Sequence, residues 1–225
     1  MTSPSSAPWA EGLSMVCHEL RRPLTVIRGA ATLLMDSHDQ LAPDNRAKIL
    51  GLIDQSARTM AYLVDDLALV ARLESGSLQV TLQRVPVREL MEGAVDAVRR
   101  GDPQARLALR QPQDLAVEAD PEHSARVLRI LLSAALQRSP EESSGPELSA
   151  KASAGQVSIL IAFPAGATIE GRTEGGLEPF SPSEEDLGLP LYLSRGLARL
   201  MSGDVALVTL PNGRSAFSFT LNRRV

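Results

Sequence analysis

The chain has 225 residues, 44% of them hydrophobic, and a formal net charge of −4 at pH 7. This size and apolar content allow one or two domains whose cores need no disulfide or structural metal. The acidic balance argues against a nucleic-acid surface, the single cysteine Cys17 excludes an internal disulfide, and no apolar run approaches the roughly 18 residues of a membrane span. We therefore expect a cytoplasmic protein without nucleic-acid or membrane partners.

The first element in chain order is a predicted helix from about Glu11 to Met35, after a flexible tail of residues 1–10. Its apolar residues are spaced by threes and fours, which is typical of an amphipathic helix. The stripe consists of Leu13, Val16, Leu20, Leu24, Ile27, Ala31 and Leu34.

A polar stretch at 37–45 predicts a turn, and a second helix follows as far as Ala71. Its stripe repeats in steps of four and three and consists of Ile49, Ile53, Ser56, Met60, Leu63, Leu67 and Val70. The two helices are predicted to form an antiparallel hairpin over residues 11–75. Because a lone hairpin buries little apolar surface, we expect a homodimer in which two hairpins form a four-helix bundle.

His18 is the candidate reactive group of the first helix. At about 100° per residue, it lies roughly 140° from the centre of the apolar stripe, so it is expected to project from the bundle. Arg22 lies one turn further along the same outer face, and Glu19 is also expected to point outward. An exposed neutral imidazole can attack phosphorus, and an adjacent carboxylate can accept its proton. An ordinary solvent-exposed histidine is the plain alternative.

Pro23 favours the functional interpretation. Proline inside a helix removes the hydrogen bond to the carbonyl four residues earlier, here that of Glu19, at a cost of about 3 kcal/mol. The helix could simply end at Pro23, but the apolar stripe continues in phase to Leu34. A defect one turn after His18 therefore indicates more than packing.

The segment Cys17–Thr25 resembles the H-box of bacterial two-component sensor histidine kinases, and residues 67–76 are similar to the end of the second helix in that family. The resemblance implies that His18 is the phosphoacceptor and Glu19 its acid–base partner. The position four after the histidine is usually Thr or Asn, which helps to dephosphorylate the partner regulator, whereas this chain has Arg22. A guanidinium can stabilise a phosphoryl group, so transfer is expected and phosphatase activity is not.

Residues 76–225 are predicted to form a second, α/β domain, so the overall fold class is α+β. Strands are predicted near 78–82, 106–110, 115–118, 156–163, 205–210 and 216–221, and helices at 87–99, 121–138 and 189–201. Asp120 is the predicted N-cap of the middle helix. Residues 141–147 are a predicted loop, and 164–185 show no periodicity. This order is similar to the ATP-binding domain of the same kinases, the α/β sandwich called the Bergerat fold.

The nucleotide motifs of that domain are degenerate here. Ile130 and Ala134 stand where the family's N-box has two asparagines for magnesium and phosphates, and Phe163 stands where an Asp would bind the adenine amino group. Residues 184–189 place three carboxylates where a glycine-rich phosphate loop is expected, and carboxylates repel a polyphosphate. Residues 177–180 are similar to the family's F-box. The resemblance therefore implies a retained fold that binds no ATP and needs no cofactor, and this domain either packs alone or holds a partner protein.

These observations predict a histidine phosphotransferase that relays a phosphoryl group through His18, assisted by Glu19 and Arg22. Its partners would be response-regulator receiver domains, which bring their own magnesium, and one donor could be an upstream hybrid kinase. Arg21, Arg22 and Arg28 suit an acidic receiver pocket. Two alternatives stay open at this point: a kinase that uses an altered ATP site or is phosphorylated in trans, and a non-catalytic adaptor that binds a kinase or regulator.

Overall fold

The structure is a computed structural model that describes residues 7–36, 41–110, 114–140, 144–164 and 188–224. Within these ranges, the side chains of residues 7–16, 18 and 188 are not described. The chain divides into two compact units, Met1–Gly76 and Ser77–Val225. In the described part of the chain, no helix combines the length and the apolar character needed to cross a membrane.

The first unit is a hairpin of two long helices, α1 (Ala7–Asp36) and α2 (Pro43–Glu74), which pack against each other. Helix α1 begins four residues before the predicted Glu11, so part of the expected tail is helical. Of the turn predicted at 37–45, residues 37–40 lie outside the described residues, and residues 43–45 instead form the start of α2. Helix α2 has Pro43 in its first turn, where proline's fixed backbone angle favours helix initiation.

Helix α1 continues through Pro23 without ending there. The alternative that the helix stops at this proline is therefore wrong. Two residues later, the Thr25 hydroxyl donates a hydrogen bond to the carbonyl oxygen of Arg21 at 2.8 Å. Such a bond to the preceding turn locally bends helices, and it lies close to the defect that proline introduces.

The described residues of the second unit form three helices and seven strands. The helices are α3 (Val87–Gly101), α4 (Pro121–Gln137) and α5 (Gly188–Leu200). The strands are β1 (Gln83–Pro86), β2 (Ala108–Leu109), β3 (Ala116–Ala119), β4 (Glu147–Ser153), β5 (Gln156–Phe163), β6 (Asp204–Thr209) and β7 (Ser215–Asn222). Strands β1 and β3 form a small antiparallel sheet, and the other five form a sheet in the order β2-β4-β5-β7-β6.

One face of the five-stranded sheet forms the core with the helices. Alternate residues of the central strands are fully buried: Val157, Ile159 and Ile161 on β5, and Phe217, Phe219 and Leu221 on β7. Fully burying one such side chain stabilises the fold by about 1.5–3 kcal/mol. Among the helices of this unit, α4 has the most buried residues described, eight of its 17. This mixed architecture confirms the predicted α+β class.

The opposite face of this sheet carries an ion-pair network at one end. The Arg214 guanidinium spans from β7 across β5, donating to the Ala162 carbonyl oxygen at 3.1 Å and to the Glu147 carboxylate at 3.1 Å. Arg110, which follows β2, also pairs with Glu147. The network therefore links four strands on the face that the helices do not cover.

Two predictions about strands were wrong. Residues 78–82 form no strand, and pairing begins only at Gln83. Strand β4 was not predicted, and its first residue, Glu147, falls in the predicted loop. Its sequence is rich in Ser and Ala, which have weak strand propensity, but it pairs with β2 on one side and with β5 on the other.

The turn between α5 and β6 depends on Gly203. A β-carbon at this position would lie 2.1 Å from the carbonyl oxygen of Thr220. Gly203→Ala should therefore lower the free energy of unfolding by about 1–3 kcal/mol, because backbone must shift. Gly93→Ala, at an exposed position of α3 with open space around the new methyl group, should instead stabilise the protein by about 0.5–1 kcal/mol. Urea unfolding measures both, and equal effects would contradict the close packing at Gly203.

Candidate phosphotransfer site

The predicted reactive residue lies in the N-terminal half of α1. The backbone of His18 is helical, and its side chain lies outside the described part of the structure. Its neighbours Cys17, Arg21 and Arg22 are exposed, as expected for the outer face of the helix. Glu19 differs from the expectation: it is half-buried, and its Oε2 atom has no contact with solvent. The carboxylate is therefore partly shielded instead of pointing freely outward.

Pro23 is buried one turn after Glu19. Because proline has no N–H group, it cannot donate the helical hydrogen bond to the Glu19 carbonyl. The backbone that carries the candidate acid–base residue is therefore freed from one helical constraint. Burial of the proline ring fixes this defect to one side of α1.

The hairpin exposes two apolar faces, one on each side of the α1–α2 contact. In α2, the exposed Leu50, Ala57, Ala61, Val64 and Ala68 repeat in steps of seven, four, three and four. At about 100° per residue these five side chains form one stripe, rotated away from the half-buried stripe that contacts α1. In α1, the exposed Leu24 and Met35 are rotated away from the stripe that contacts α2, in the same sense as the five residues of α2. Because the two helices run antiparallel, the same sense of rotation places all these residues on the same side of the hairpin. We call this side the alanine face.

The second apolar face lies on the other side of the same contact and consists of Val26, Leu33, Leu52 and Tyr62, each between 44% and 50% exposed. Arg22 lies one turn before Val26, on the same side of α1, and therefore borders this second face. Position 18 precedes Arg22 by one further turn. We call this side the tyrosine face, and it is the apolar surface next to the candidate phosphoacceptor.

The predicted nucleotide positions of the second unit are apolar and enclosed. Ile130 is 5% exposed and Ala134 is 6% exposed, both on α4. Phe163, at the end of β5, is also buried, and its ring packs at a tilt against Phe217 with centroids 5.1 Å apart. None of these three side chains has an oxygen or nitrogen that could bind magnesium, phosphate or adenine. The described part of the site therefore does not fit ATP and magnesium.

Other predicted features of that site fall outside the described residues. The carboxylates at 184–186 and the F-box-like segment 177–180 both lie within 165–187. The described Gly188–Leu200 helix follows the predicted phosphate loop directly, close to the predicted 189–201.

Sequence reasoning missed the division of the exposed hairpin residues into two faces. The seven-four-three-four repeat of α2 was available as a signal. It was hidden because the neighbouring contact stripe has almost the same spacing.

Comparisons with known proteins agree with this arrangement. Residues 10–76 match the His Kinase A (phospho-acceptor) domain. The chain is 27% identical over 225 residues to the non-motile and phage-resistance protein of Caulobacter vibrioides, covering 94% of this chain and 27% of that protein. It is 26% identical over 218 residues to sensor protein KdpD of Mycobacterium tuberculosis, covering 89% of this chain and 24% of that protein. The chain thus spans about a quarter of the length of the curated relatives it matches.

Two solved structures share the fold over most of the chain. Acinetobacter baumannii histidine kinase AdeS aligns with a TM-score of 0.64 and 18% identity, covering 92% of this chain and 98% of that one. Histidine kinase ThkA, solved in complex with the response regulator protein TrrA, aligns with a TM-score of 0.63 and 18% identity, covering 94% and 61%. The chain belongs to the two-component sensor histidine kinase family, with a phosphoacceptor hairpin followed by a kinase-like ATPase domain.

Restoring a family-like asparagine at the enclosed N-box position should damage the fold. Ile130→Asn places an amide in an apolar site and should lower the free energy of unfolding by about 2–5 kcal/mol. Ile130→Val, which keeps the site apolar, should cost only about 0.5–1.5 kcal/mol. Thermal and urea unfolding compare the two variants. Equal stability would mean that water reaches this position.

Proposed function

We propose that this chain is a histidine phosphotransferase of a phosphorelay, which moves a phosphoryl group between receiver domains through His18 without using ATP. The observation that carries the proposal is a contrast between the two units. The phosphoacceptor hairpin retains the family's His-Glu pair and proline, while the nucleotide positions Ile130, Ala134 and Phe163 are buried and apolar.

The chemistry suits a site without a nucleotide. An aspartyl-phosphate is a mixed anhydride, so transfer requires in-line placement more than strong activation. An imidazole nitrogen of His18 forms the N–P bond while the P–O bond to aspartate breaks and the aspartate leaves as a carboxylate. Glu19 is proposed to take the proton that the imidazole loses, and its shielded oxygen suits this role because a carboxylate away from water interacts more strongly with a positive charge. Magnesium is brought by the receiver.

Arg22 is proposed to stabilise the phosphoryl group on the hairpin. It is exposed and lies one turn from position 18 on the same side of α1. A guanidinium donates charge-assisted hydrogen bonds to phosphoryl oxygens but cannot activate water as a hydroxyl or amide does. The residue therefore favours transfer over hydrolysis.

Each apolar face of the hairpin is proposed to bind a different partner. The alanine face is lined by small residues at coiled-coil spacing, which allow close approach of a second hairpin and a dimeric four-helix bundle. The tyrosine face borders Arg22 and stays accessible in such a dimer. It is the surface that would receive the receiver domain, and ThkA, a fold neighbour, was solved with a response regulator.

The first test is transfer itself. A receiver domain charged with acetyl phosphate should label this protein at one acid-labile, base-stable site, because an N–P bond hydrolyses in acid. His18→Ala should abolish the label without changing the unfolding curve, and Glu19→Gln should slow transfer by about 10- to 1000-fold. Labelling that persists in His18→Ala, or that occurs at His38 or His123, would identify another acceptor. An absence of any label with several receivers would favour the adaptor alternative.

Nucleotide binding separates this proposal from the kinase alternative. Because the described nucleotide positions present only methyl, methylene and phenyl groups, calorimetry with Mg-ATP should show no saturable binding up to millimolar concentration. A micromolar dissociation constant, or labelling of His18 by radioactive ATP, would instead support an active kinase.

Leu50 and Leu52 form a matched pair for testing the two faces. They lie two residues apart in α2 and are 51% and 49% exposed, but they belong to opposite faces. Leu50→Asp should shift the protein from dimer to monomer in light scattering, since a charge would be buried between hairpins. Leu52→Asp should leave the dimer intact and slow transfer from the receiver about tenfold or more. Dissociation by both variants, or by neither, would contradict the assignment of faces.

A further inference from the structure

The Asp120 carboxylate uses its two oxygens for two different tasks. Its Oδ1 atom accepts hydrogen bonds from the backbone N–H groups of Glu122 and His123 at 3.0 and 3.1 Å, which is the predicted N-cap of α4. Its Oδ2 atom accepts a hydrogen bond from the backbone N–H of Thr81 at 2.8 Å, 39 residues earlier in the chain. One side chain therefore joins α4 to the segment that precedes β1.

The backbone of Asp120 is also anchored, by a contact with Met201. The backbone N–H of Asp120 donates to the Met201 sulfur at 3.3 Å, and the Ser124 hydroxyl donates to the same sulfur at 3.4 Å. Burial raises the pKa of Asp120, but the Thr81 N–H, followed by the His123 and Glu122 N–H groups, lowers it below the ordinary aspartate value. The group is thus an anchored anion at neutral pH.

The segment that this anion contacts connects the two units. Helix α2 ends at Glu74, and Gly76 has φ of +65°, a left-handed conformation that glycine adopts without strain and that terminates helices. Residues 77–82 then run to β1 without forming a strand, although their sequence predicted one. At Thr81, the backbone N–H donates to the Asp120 carboxylate instead of to a neighbouring strand.

We propose that Asp120 is a strap that fixes Thr81, near the end of the connecting segment, to the second unit, so that bending between the units is confined to residues 75–80. A chain extends at most about 3.6 Å per residue. With the strap in place, the free tether is the six residues 75–80, about 22 Å; with the strap released, it extends through Leu82 to eight residues, about 29 Å. The strap therefore limits how far the second unit can move from the hairpin.

Three single substitutions in the full chain separate the strap from the helix cap. Asp120→Asn keeps a good N-cap, because the amide oxygen can still accept from the two α4 N–H groups. The amide NH₂ group then faces the Thr81 N–H, and it cannot accept a hydrogen bond. Asp120→Ser also caps the helix, but its hydroxyl is too short to reach Thr81. Thr81→Ala is the matched control, since it changes the side chain and keeps the backbone donor.

Hydrogen exchange monitored by mass spectrometry or NMR gives the result. In Asp120→Asn and Asp120→Ser, the Thr81 amide and its neighbours in 78–82 should exchange about 10- to 100-fold faster, because they lose a bond to a charged acceptor. Amides within α4 should change by less than about threefold, and Thr81→Ala should match the unaltered protein. Unchanged Thr81 exchange in both Asp120 variants, or equal acceleration in Thr81→Ala, would overturn the proposal. This readout does not depend on phosphotransfer, so it stands apart from the function proposed for His18.

Discussion

The contact between α1 and α2 is the constraint on which the hairpin depends. Each helix can turn only one stripe toward its neighbour, and all positions of a helix rotate together. The packing of Ile27 and Leu34 against α2 therefore also decides that Arg22 lies on the outer side. The same rotation leaves two apolar faces uncovered in a single chain. The proposed dimer and the proposed partner docking would both follow from this one packing arrangement, because each face needs its own cover.

In the second unit, the predicted nucleotide positions belong to the apolar core. The buried rows of β5 and β7 and the inner side of α4 hold the sheet and helices together without any ligand. Replacing polar nucleotide ligands by Ile130, Ala134 and Phe163 extends that core outward. The same side chains that do not fit a nucleotide therefore contribute to the buried core. Fold and activity can diverge in this way because apolar burial does not require the original ligand set.

The connecting segment shows how one carboxylate can replace regular structure. Residues 78–82 alternate in a way that favours a strand, but no neighbouring strand offers them a ladder. The Thr81 N–H is satisfied instead by Asp120, a residue already placed by its role as a helix cap. A backbone N–H group that is partly shielded from water needs some acceptor, and here the acceptor comes from a distant side chain. Sequence periodicity carries no information about such a partner.

The sequence by itself determined the elements whose signals are local. The long apolar stripes predicted both hairpin helices, and Asp120 followed by Pro121 predicted the start of α4 at the observed residue, because capping and helix periodicity act over a few neighbouring positions. The H-box was also visible in the sequence alone, and so were the apolar residues at the positions where the family has nucleotide ligands. Only the tertiary structure decided that β4 is a strand, since its Ser- and Ala-rich sequence becomes extended through pairing with β2 and β5. It also decided that Glu19 is partly shielded and that Leu50 and Leu52 lie on opposite faces, because burial depends on residues that are distant in sequence and close in space.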